Sequence, residues 1–216
     1  MLRVEKEVKY VIMDLCLENG EIDMNLPNKL TVFRMVLVPT ILAVALLGED
    51  GIVTWDILGS QLSLMHLICL VLFIIASLTD LFDGKLARKH NLVTTFGKFM
   101  DPIADKMLVN TMLVLLAYWR MVPVVCVVLM IMRDLIVDAI RLLAAEKQVV
   151  VAAGPLGKLK TVMQMTAIII VLLDNFPLGF LGVSFDLITI WLATLISVIS
   201  GLDYLNKHKE MIMESI

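Results

Sequence analysis

Charged side chains are scarce in this chain. Of its 216 residues, 18% are Asp, Glu, Lys or Arg and 60% are hydrophobic, and the mean hydropathy is +0.93. So few polar residues cannot cover the surface of a water-soluble fold, so the composition excludes an ordinary soluble domain and predicts a polytopic membrane protein. The net charge of -3 adds little, because the placement of Lys and Arg matters more than their sum in membrane proteins.

Cysteine is also scarce. Cys16, Cys69 and Cys126 are scattered, odd in number and without CxxC or Cys/His spacing. Neither a disulfide framework nor a zinc site is therefore expected, and the three residues are interpreted as small apolar side chains.

Residues 1–23 have apolar side chains at helical spacing among charged ones, namely Val8, Val11, Ile12 and Leu15. This pattern predicts an amphipathic helix that lies on the membrane. The stretch lacks the continuous apolar run and small-residue cleavage site of a signal peptide, so its removal is not expected. The predicted organisation is this extension, a membrane domain over 24–209 and a polar tail over 210–216.

Six apolar segments follow, and a hydrocarbon core of ~30 Å requires about 20 helical residues for each crossing. Their approximate limits are 30–48, 62–88, 97–119, 123–147, 161–173 and 187–205. The predicted fold class is an all-α integral membrane protein with six transmembrane helices plus the N-terminal interfacial helix. Residues 49–60 and 174–186 are predicted to be loops, 149–160 a connector, and Arg34 is expected at the membrane interface.

The Lys and Arg residues collect on one side of these segments. The opposite loops hold only Arg120, whereas the side with both termini holds Lys29, Lys85, Arg88, Lys89, Lys98, Lys147, Lys158, Lys160, Lys207 and Lys209. By the positive-inside rule, both termini and the Asp-rich helix ends, which carry the predicted active site, are expected on the cytoplasmic side of the cell membrane.

Four carboxylates interrupt the second and third segments near this cytoplasmic side. At helical spacing, Asp80 and Asp83 share one helix face, and Asp101 and Asp105 share one stripe of another. Charged groups near lipid are costly, so such a cluster predicts a functional site. Several close carboxylates need neutralisation, and oxygen-only ligands favour Mg²⁺ or Mn²⁺ over zinc.

The spacing of the residues around these four aspartates is specific to one protein family. It resembles the signature of the CDP-alcohol phosphotransferase (phosphatidyltransferase) family at every fixed position: Asp80, Asp83, Gly84, Ala87, Arg88, Gly97, Asp101 and Asp105. The resemblance implies a homodimer of six-helix subunits that transfers a phosphatidyl or phospho-alcohol group from a CDP-linked donor to an alcohol and releases CMP.

The same resemblance implies the roles of the residues. Asp80, Asp83 and Asp101 would bind two Mg²⁺ or Mn²⁺ ions that hold the CDP diphosphate, and Asp105, the fourth member of that metal site, would be the general base. The donor nucleotide would lie against Asp80, Asp83, Gly84, Ala87, Arg88 and Gly97. Two alternatives stay open: the small residues could serve helix packing alone, and Arg88 could be a positive-inside anchor.

The acceptor is a separate question. Arg133 and Arg141 lie on roughly one helical face, and Lys158 and Lys160 precede the fifth segment on the same side. Four cations there would suit a phosphate on the acceptor. Two alternatives to phosphate binding stay open. The lysines could be ordinary basic residues at cytoplasmic helix ends, and the arginines could form ion pairs with Asp134 and Asp138.

Three further stretches resemble the phosphatidylglycerophosphate synthase branch of the family: residues 25–34, 133–141 and 156–161. That branch implies CDP-diacylglycerol as donor and glycerol 3-phosphate as acceptor, and no nucleic acid partner is expected. Another acceptor, such as inositol phosphate or phosphatidylglycerol, is the main alternative. An ion transporter would need polar residues across several helices, and a non-catalytic scaffold would have lost an Asp; neither pattern is present.

Overall fold

The computed structural model describes residues 26–48, 53–57, 60–90, 95–147 and 154–213, and only the backbone of residues 26–27, 80–90, 95–99 and 178. This part of the chain is almost entirely helical, as predicted. Its elements in chain order are α1 (Leu26–Leu47), β1 (Thr54–Ile57), β2 (Ser60–Ser63), α2 (Leu64–His90), α3 (Thr95–Tyr118), α4 (Val124–Glu146), α5 (Pro155–Leu172), a 3₁₀ turn (Leu178–Leu181), α6 (Phe185–Lys207) and α7 (Lys209–Met213).

Helix α5 begins earlier than the sequence analysis predicts. The connector was expected to extend to Lys160, but Pro155 is the first residue of the helix and Gly154 precedes it. Proline suits this position, because the first helical N–H has no partner within the helix and the ring fixes a helical φ. Consequently Lys158 and Lys160 lie on the first turns of α5, where their side chains have defined directions.

The loop predicted over 49–60 is also partly wrong. Strands β1 and β2 form an antiparallel hairpin in which Thr54 faces Ser63 and Ile57 faces Ser60. Thr, Trp and Ile in β1 are residues that favour strands. The predicted C-terminal tail likewise contains helix α7, whereas the predicted N-terminal helix over 1–23 lies outside the described residues.

Three helices of the described chain are long and apolar enough to cross a membrane, over Asn28–Leu47, Pro155–Leu172 and Phe185–Lys207. A shorter apolar stretch covers Leu64–Thr79. Helices α3 and α4 have comparable length, but charged residues interrupt their apolar sequences. The structure therefore supports a membrane protein with three candidate spans in its described part, and the count of six spans stays a prediction.

The helices pack in two groups. Helix α1 packs mainly on α2 and α3, while α6 packs mainly on α4 and α5. Large apolar side chains from both groups fill a common core, including Ile41, Phe73, Met112, Leu116, Met130, Ile168, Leu172 and Ile190. The outer surface is apolar as well, with Leu47, Val124, Leu135, Val162 and Leu202 exposed. Such a surface suits contact with lipid chains.

Small residues line the inner face of α6. Ala193, Ser197 and Ser200 are buried at helical spacing, and Gly201 follows directly. In lipid, apolar side chains gain little from contacting each other instead of lipid, so close backbone approach at small residues becomes important for helix association. This face brings α6 against α4 and α5, the two helices that carry the predicted basic residues.

Candidate active site

A polar cavity of about 350 Å³ lies where helices α3, α4 and α5 meet. It is therefore at the junction between the two helix groups. Its lining combines carboxylates, cations and a few uncharged residues: Asp101, Pro102, Asp105, Lys106, Val109, Arg133, Asp134, Arg141, Gly157, Lys158, Lys160, Thr161 and Gln164. Six residues that the sequence analysis selected thus line one cavity, namely Asp101, Asp105, Arg133, Arg141, Lys158 and Lys160.

On the carboxylate side of the cavity, Asp101 and Asp105 of α3 are contacted by Thr31 and Arg34 of α1. One helical turn separates the two aspartates, so both side chains project from the same stripe. The Thr31 hydroxyl donates a hydrogen bond of 2.6 Å to Asp101 Oδ1, and Arg34 Nη1 donates to Asp105 Oδ1. Helix α1 therefore orients both carboxylates from outside the cavity lining.

Arg34 is the supporting residue that the sequence analysis missed. It was expected at the membrane interface, but its side chain is completely buried and ion-paired with Asp105. A charge inside an otherwise apolar segment is the signal that could have identified it, since such residues usually have a partner. The identity of the partner depends on how α1 packs against α3.

The basic side of the cavity is organised by Asp134 on α4. Lys160 Nζ on α5 donates to both carboxylate oxygens, at 2.8 Å to Oδ1 and 2.7 Å to Oδ2. Arg133 Nη1 donates to Asp134 Oδ1 at 2.9 Å. Lys160 and Asp134 are both buried. The predicted pairing of Arg133 with Asp134 is therefore present, and Lys160 joins it.

The other two predicted cations are more accessible. Arg141 and Lys158 are exposed residues at the edge of the cavity, and the Arg141 guanidinium carbon lies 5.8 Å from the centre of the Tyr204 ring. Asp138 forms an ion pair with Lys106 of α3 instead of with Arg141. Among the residues that the structure describes, Arg141 forms no ion pair, so the pairing alternative is not observed for it.

Six predicted site residues have side chains outside the description: Asp80, Asp83, Gly84, Ala87, Arg88 and Gly97. Their backbones are helical, in α2 for the first five and in α3 for Gly97. Their predicted contacts with donor and metal remain predictions. Among the residues whose side chains are described, no cluster of three possible metal ligands occurs. Asp101 and Asp105 nevertheless supply carboxylate oxygens, the ligand type that Mg²⁺ and Mn²⁺ prefer.

Comparison with known proteins agrees with the arrangement of these residues. Residues 24–199 match the family model for CDP-alcohol phosphatidyltransferases. Three curated relatives are each named CDP-diacylglycerol–glycerol-3-phosphate 3-phosphatidyltransferase. The Bacillus subtilis (strain 168) protein is 40% identical over 194 residues, which cover 88% of this chain and 98% of that relative.

The other two come from other bacteria. The Rickettsia prowazekii (strain Madrid E) protein is 36% identical over 87% of this chain and 97% of its own length. The Mycoplasma genitalium (strain G37) protein is 42% identical over 66% of this chain and 62% of its own length. The resemblance carried by the aspartate spacing is thus confirmed, and the chain belongs to the CDP-alcohol phosphatidyltransferase family.

Proposed function

We propose that this protein transfers the phosphatidyl group of CDP-diacylglycerol to glycerol 3-phosphate and releases CMP. The observation that carries the proposal is the polar cavity, in which two carboxylates on α3 face four cations on α4 and α5. A carboxylate suits the activation of a hydroxyl group, and clustered cations suit a phosphate. Glycerol 3-phosphate carries both groups, and the names of the relatives state the same donor and acceptor.

In the proposed reaction, Asp105 accepts the proton of the acceptor 1-hydroxyl. The hydroxyl oxygen forms a bond to the phosphorus of the phosphatidyl group, and the bond from that phosphorus to the oxygen of CMP breaks. Arg34 holds Asp105 Oδ1 from behind, so the carboxylate keeps one orientation during the transfer. A fixed base gains rate because less reorganisation is needed in the transition state.

The acceptor phosphate would be bound on the opposite wall. Arg133 and Lys160 are already held by Asp134, whereas Arg141 and Lys158 are accessible at the edge. We assign the first pair to orientation of the phosphate and the second pair to its attraction from solution. Binding the phosphate against α4 and α5 would direct the other end of the acceptor toward Asp105 on α3.

The donor site is assigned to the two aspartate pairs. Asp80, Asp83, Asp101 and Asp105 would hold two Mg²⁺ or Mn²⁺ ions, which when bound supply positive charge for the CDP diphosphate. In the described part, Asp101 fits this role because its carboxylate lines the cavity and is oriented by Thr31. Gly84, Ala87, Arg88 and Gly97 would contact the nucleotide.

The proposed topology has six spans, both termini and the cavity in the cytoplasm, and two chains in a homodimer. Helices α3 and α4 can accommodate charged residues within a bilayer because those side chains face the cavity and each other. From Leu108 to Leu116, α3 contributes buried apolar residues to the core. Only Asn110 and Thr111 are polar in that stretch, so the described part of α3 offers no continuous polar path, which weighs against ion transport.

The decisive experiment is an acceptor screen with the purified full chain. The protein is given labelled CDP-diacylglycerol and Mg²⁺ or Mn²⁺, and separately glycerol 3-phosphate, inositol phosphate, serine or phosphatidylglycerol. We expect CMP release with glycerol 3-phosphate, together with formation of a labelled lipid that carries two phosphates. A reaction that omits the acceptor measures background hydrolysis. CMP release with only one of the other three acceptors would refute the assignment.

A further inference from the structure

The side chain of Arg133 on α4 packs against helix α6 where it lines the cavity. Its Nη2 donates a hydrogen bond of 2.7 Å to the hydroxyl of Ser200, while its Nη1 contacts Asp134. Ser200 is buried and is not part of the cavity lining. The guanidinium is therefore held between one residue at the cavity and one residue behind it.

Gly201, the next residue of α6, leaves the space that the stem of Arg133 occupies. A methyl group added at position 201 would lie 2.7 Å from Cγ of Arg133 and 3.7 Å from its Nε. A carbon–carbon distance of 2.7 Å is far below the ~3.5–4.0 Å of optimal contact, so either the arginine or the helix would have to move. The absence of a side chain at residue 201 is what permits the observed path of Arg133.

We propose that Ser200 and Gly201 are positioning residues for the acceptor phosphate, which they affect through Arg133. Gly201 admits the aliphatic stem and Ser200 fixes the guanidinium, so that Arg133 meets the phosphate in one orientation. This inference depends on the proposed function, because it assumes that Arg133 binds the acceptor. It extends the acceptor site to α6, a helix that contributes no residue to the described cavity lining.

The chain contains a matched control one turn away. Ser197 lies on the same face of α6 and is completely buried, and its hydroxyl forms no hydrogen bond within the described part of the chain. Replacing Ser197 by Ala removes the same atom from the same helix without affecting Arg133. A general effect of altering α6 would therefore appear in both serine variants.

The experiment compares Ser200→Ala, Gly201→Ala and Ser197→Ala in the full-length protein. For Ser200→Ala we expect the KM for glycerol 3-phosphate to rise about fivefold, the typical effect of losing one hydrogen bond. Gly201→Ala should raise it further, on the order of tenfold or more, since the whole side chain is displaced. The KM for CDP-diacylglycerol should stay within about twofold of the wild-type value in both variants.

Ser200→Thr keeps the hydroxyl and should restore most of the affinity that Ser200→Ala loses. Tm measurements show whether each variant is folded. If Gly201→Ala does not fold, the comparison of Ser200→Ala with Ser197→Ala tests the proposal by itself. An acceptor KM in Ser200→Ala equal to that in Ser197→Ala would overturn the proposal. So would an equal rise in KM for both substrates.

Failure of this inference is distinguishable from failure of the proposed function. If wild-type protein uses glycerol 3-phosphate but Ser200→Ala and Ser197→Ala behave alike, only the role of α6 is refuted. If the wild type instead uses another phosphorylated acceptor, the same variants are compared with that acceptor. Calorimetric titration of glycerol 3-phosphate into each protein provides an affinity that does not depend on turnover, and unchanged affinity in Ser200→Ala would refute the role of α6.

Discussion

The two sides of the cavity each contain an ion pair between different helices, but the roles of the partners are reversed. On the carboxylate side, Arg34 of α1 supports Asp105, which is the proposed reactive group. On the basic side, Asp134 of α4 supports Lys160, which is the proposed binding group. The same type of interaction thus orients a base at one wall and a phosphate ligand at the other.

The carboxylates of Asp105 and Asp134 differ in their exposure. The side chain of Asp105 is 42% exposed and that of Asp134 only 8%. A general base must come within hydrogen-bonding distance of the proton that it accepts, so only Asp105 is accessible enough for that task. The supporting partners, Arg34 and Asp134, are both buried. Of the two pairs, only Lys160–Asp134 is buried on both sides, and removing one member of such a pair costs about 3–5 kcal/mol.

The largest expected effect comes from replacing the base. Asp105→Asn should lower kcat by roughly 10²-fold or more, because the amide cannot accept the hydroxyl proton. Binding of labelled CDP-diacylglycerol to the purified variant should be retained. Asp203→Asn is the control, because Asp203 forms a surface pair with Lys207 within α6. Turnover by Asp105→Asn close to the wild-type rate would remove Asp105 from the base role.

Breaking the two ion pairs should affect different kinetic constants. Arg34→Met should mainly lower kcat, about tenfold, because it loosens the base, whereas Lys160→Met should mainly raise the KM for glycerol 3-phosphate by a similar factor. Steady-state kinetics with each substrate varied in turn measures both. Arg34→Lys retains a charge beside Asp105 and tests whether a loss is specific to the guanidinium.

Both variants are expected to lose stability, so Tm is measured alongside the kinetics. In the Lys160→Met protein, Asp134 keeps only its contact with Arg133 and is incompletely compensated. A second change, Asp134→Asn, removes this charge and should recover part of the stability without recovering acceptor affinity. If Arg34→Met and Lys160→Met altered kcat and acceptor KM in the same proportion, the division of the cavity into two functional walls would be wrong.

The smallest effect is expected at the exposed edge of the basic side. Lys158→Gln should raise the acceptor KM only about two- to fivefold, because an accessible charge is screened by water and salt. Acceptor KM measured at increasing salt should converge for wild type and variant. Lys209→Gln, at an exposed lysine outside the cavity lining, serves as the control. A loss of affinity as large as that of Lys160→Met would place Lys158 among the orienting residues.

The sequence predicted much of the secondary structure, because apolar segments and charged interruptions are local signals. Helix α4 was expected over 123–147 and is observed over Val124–Glu146. The start of α5 was missed because Gly154 and Pro155 were interpreted as connector residues, although proline also favours a first helical turn. The β-hairpin was missed because its short strands alternate with polar residues that equally suit a loop.

Residue types and spacing also selected six of the residues that line the cavity, since clustered charges in an apolar chain are improbable without a function. Contacts between distant residues were beyond this reasoning. Nothing local indicates that Arg34 pairs with Asp105, 71 residues away, or that Ser200 bonds Arg133, 67 residues away. Such contacts depend on which helices pack together and at what rotation.

The sequence by itself determined that the chain is a membrane protein with a one-sided cluster of carboxylates and cations at family-specific spacing. Composition and helical periodicity suffice for that, because they fix which side chains share a helix face. Only the tertiary structure decided the partners: Arg34 with Asp105, Lys160 with Asp134, and Ser200 with Arg133. The packing of α1 on α3 and of α6 on α4 and α5 creates those contacts, and helix packing is a property of the whole chain.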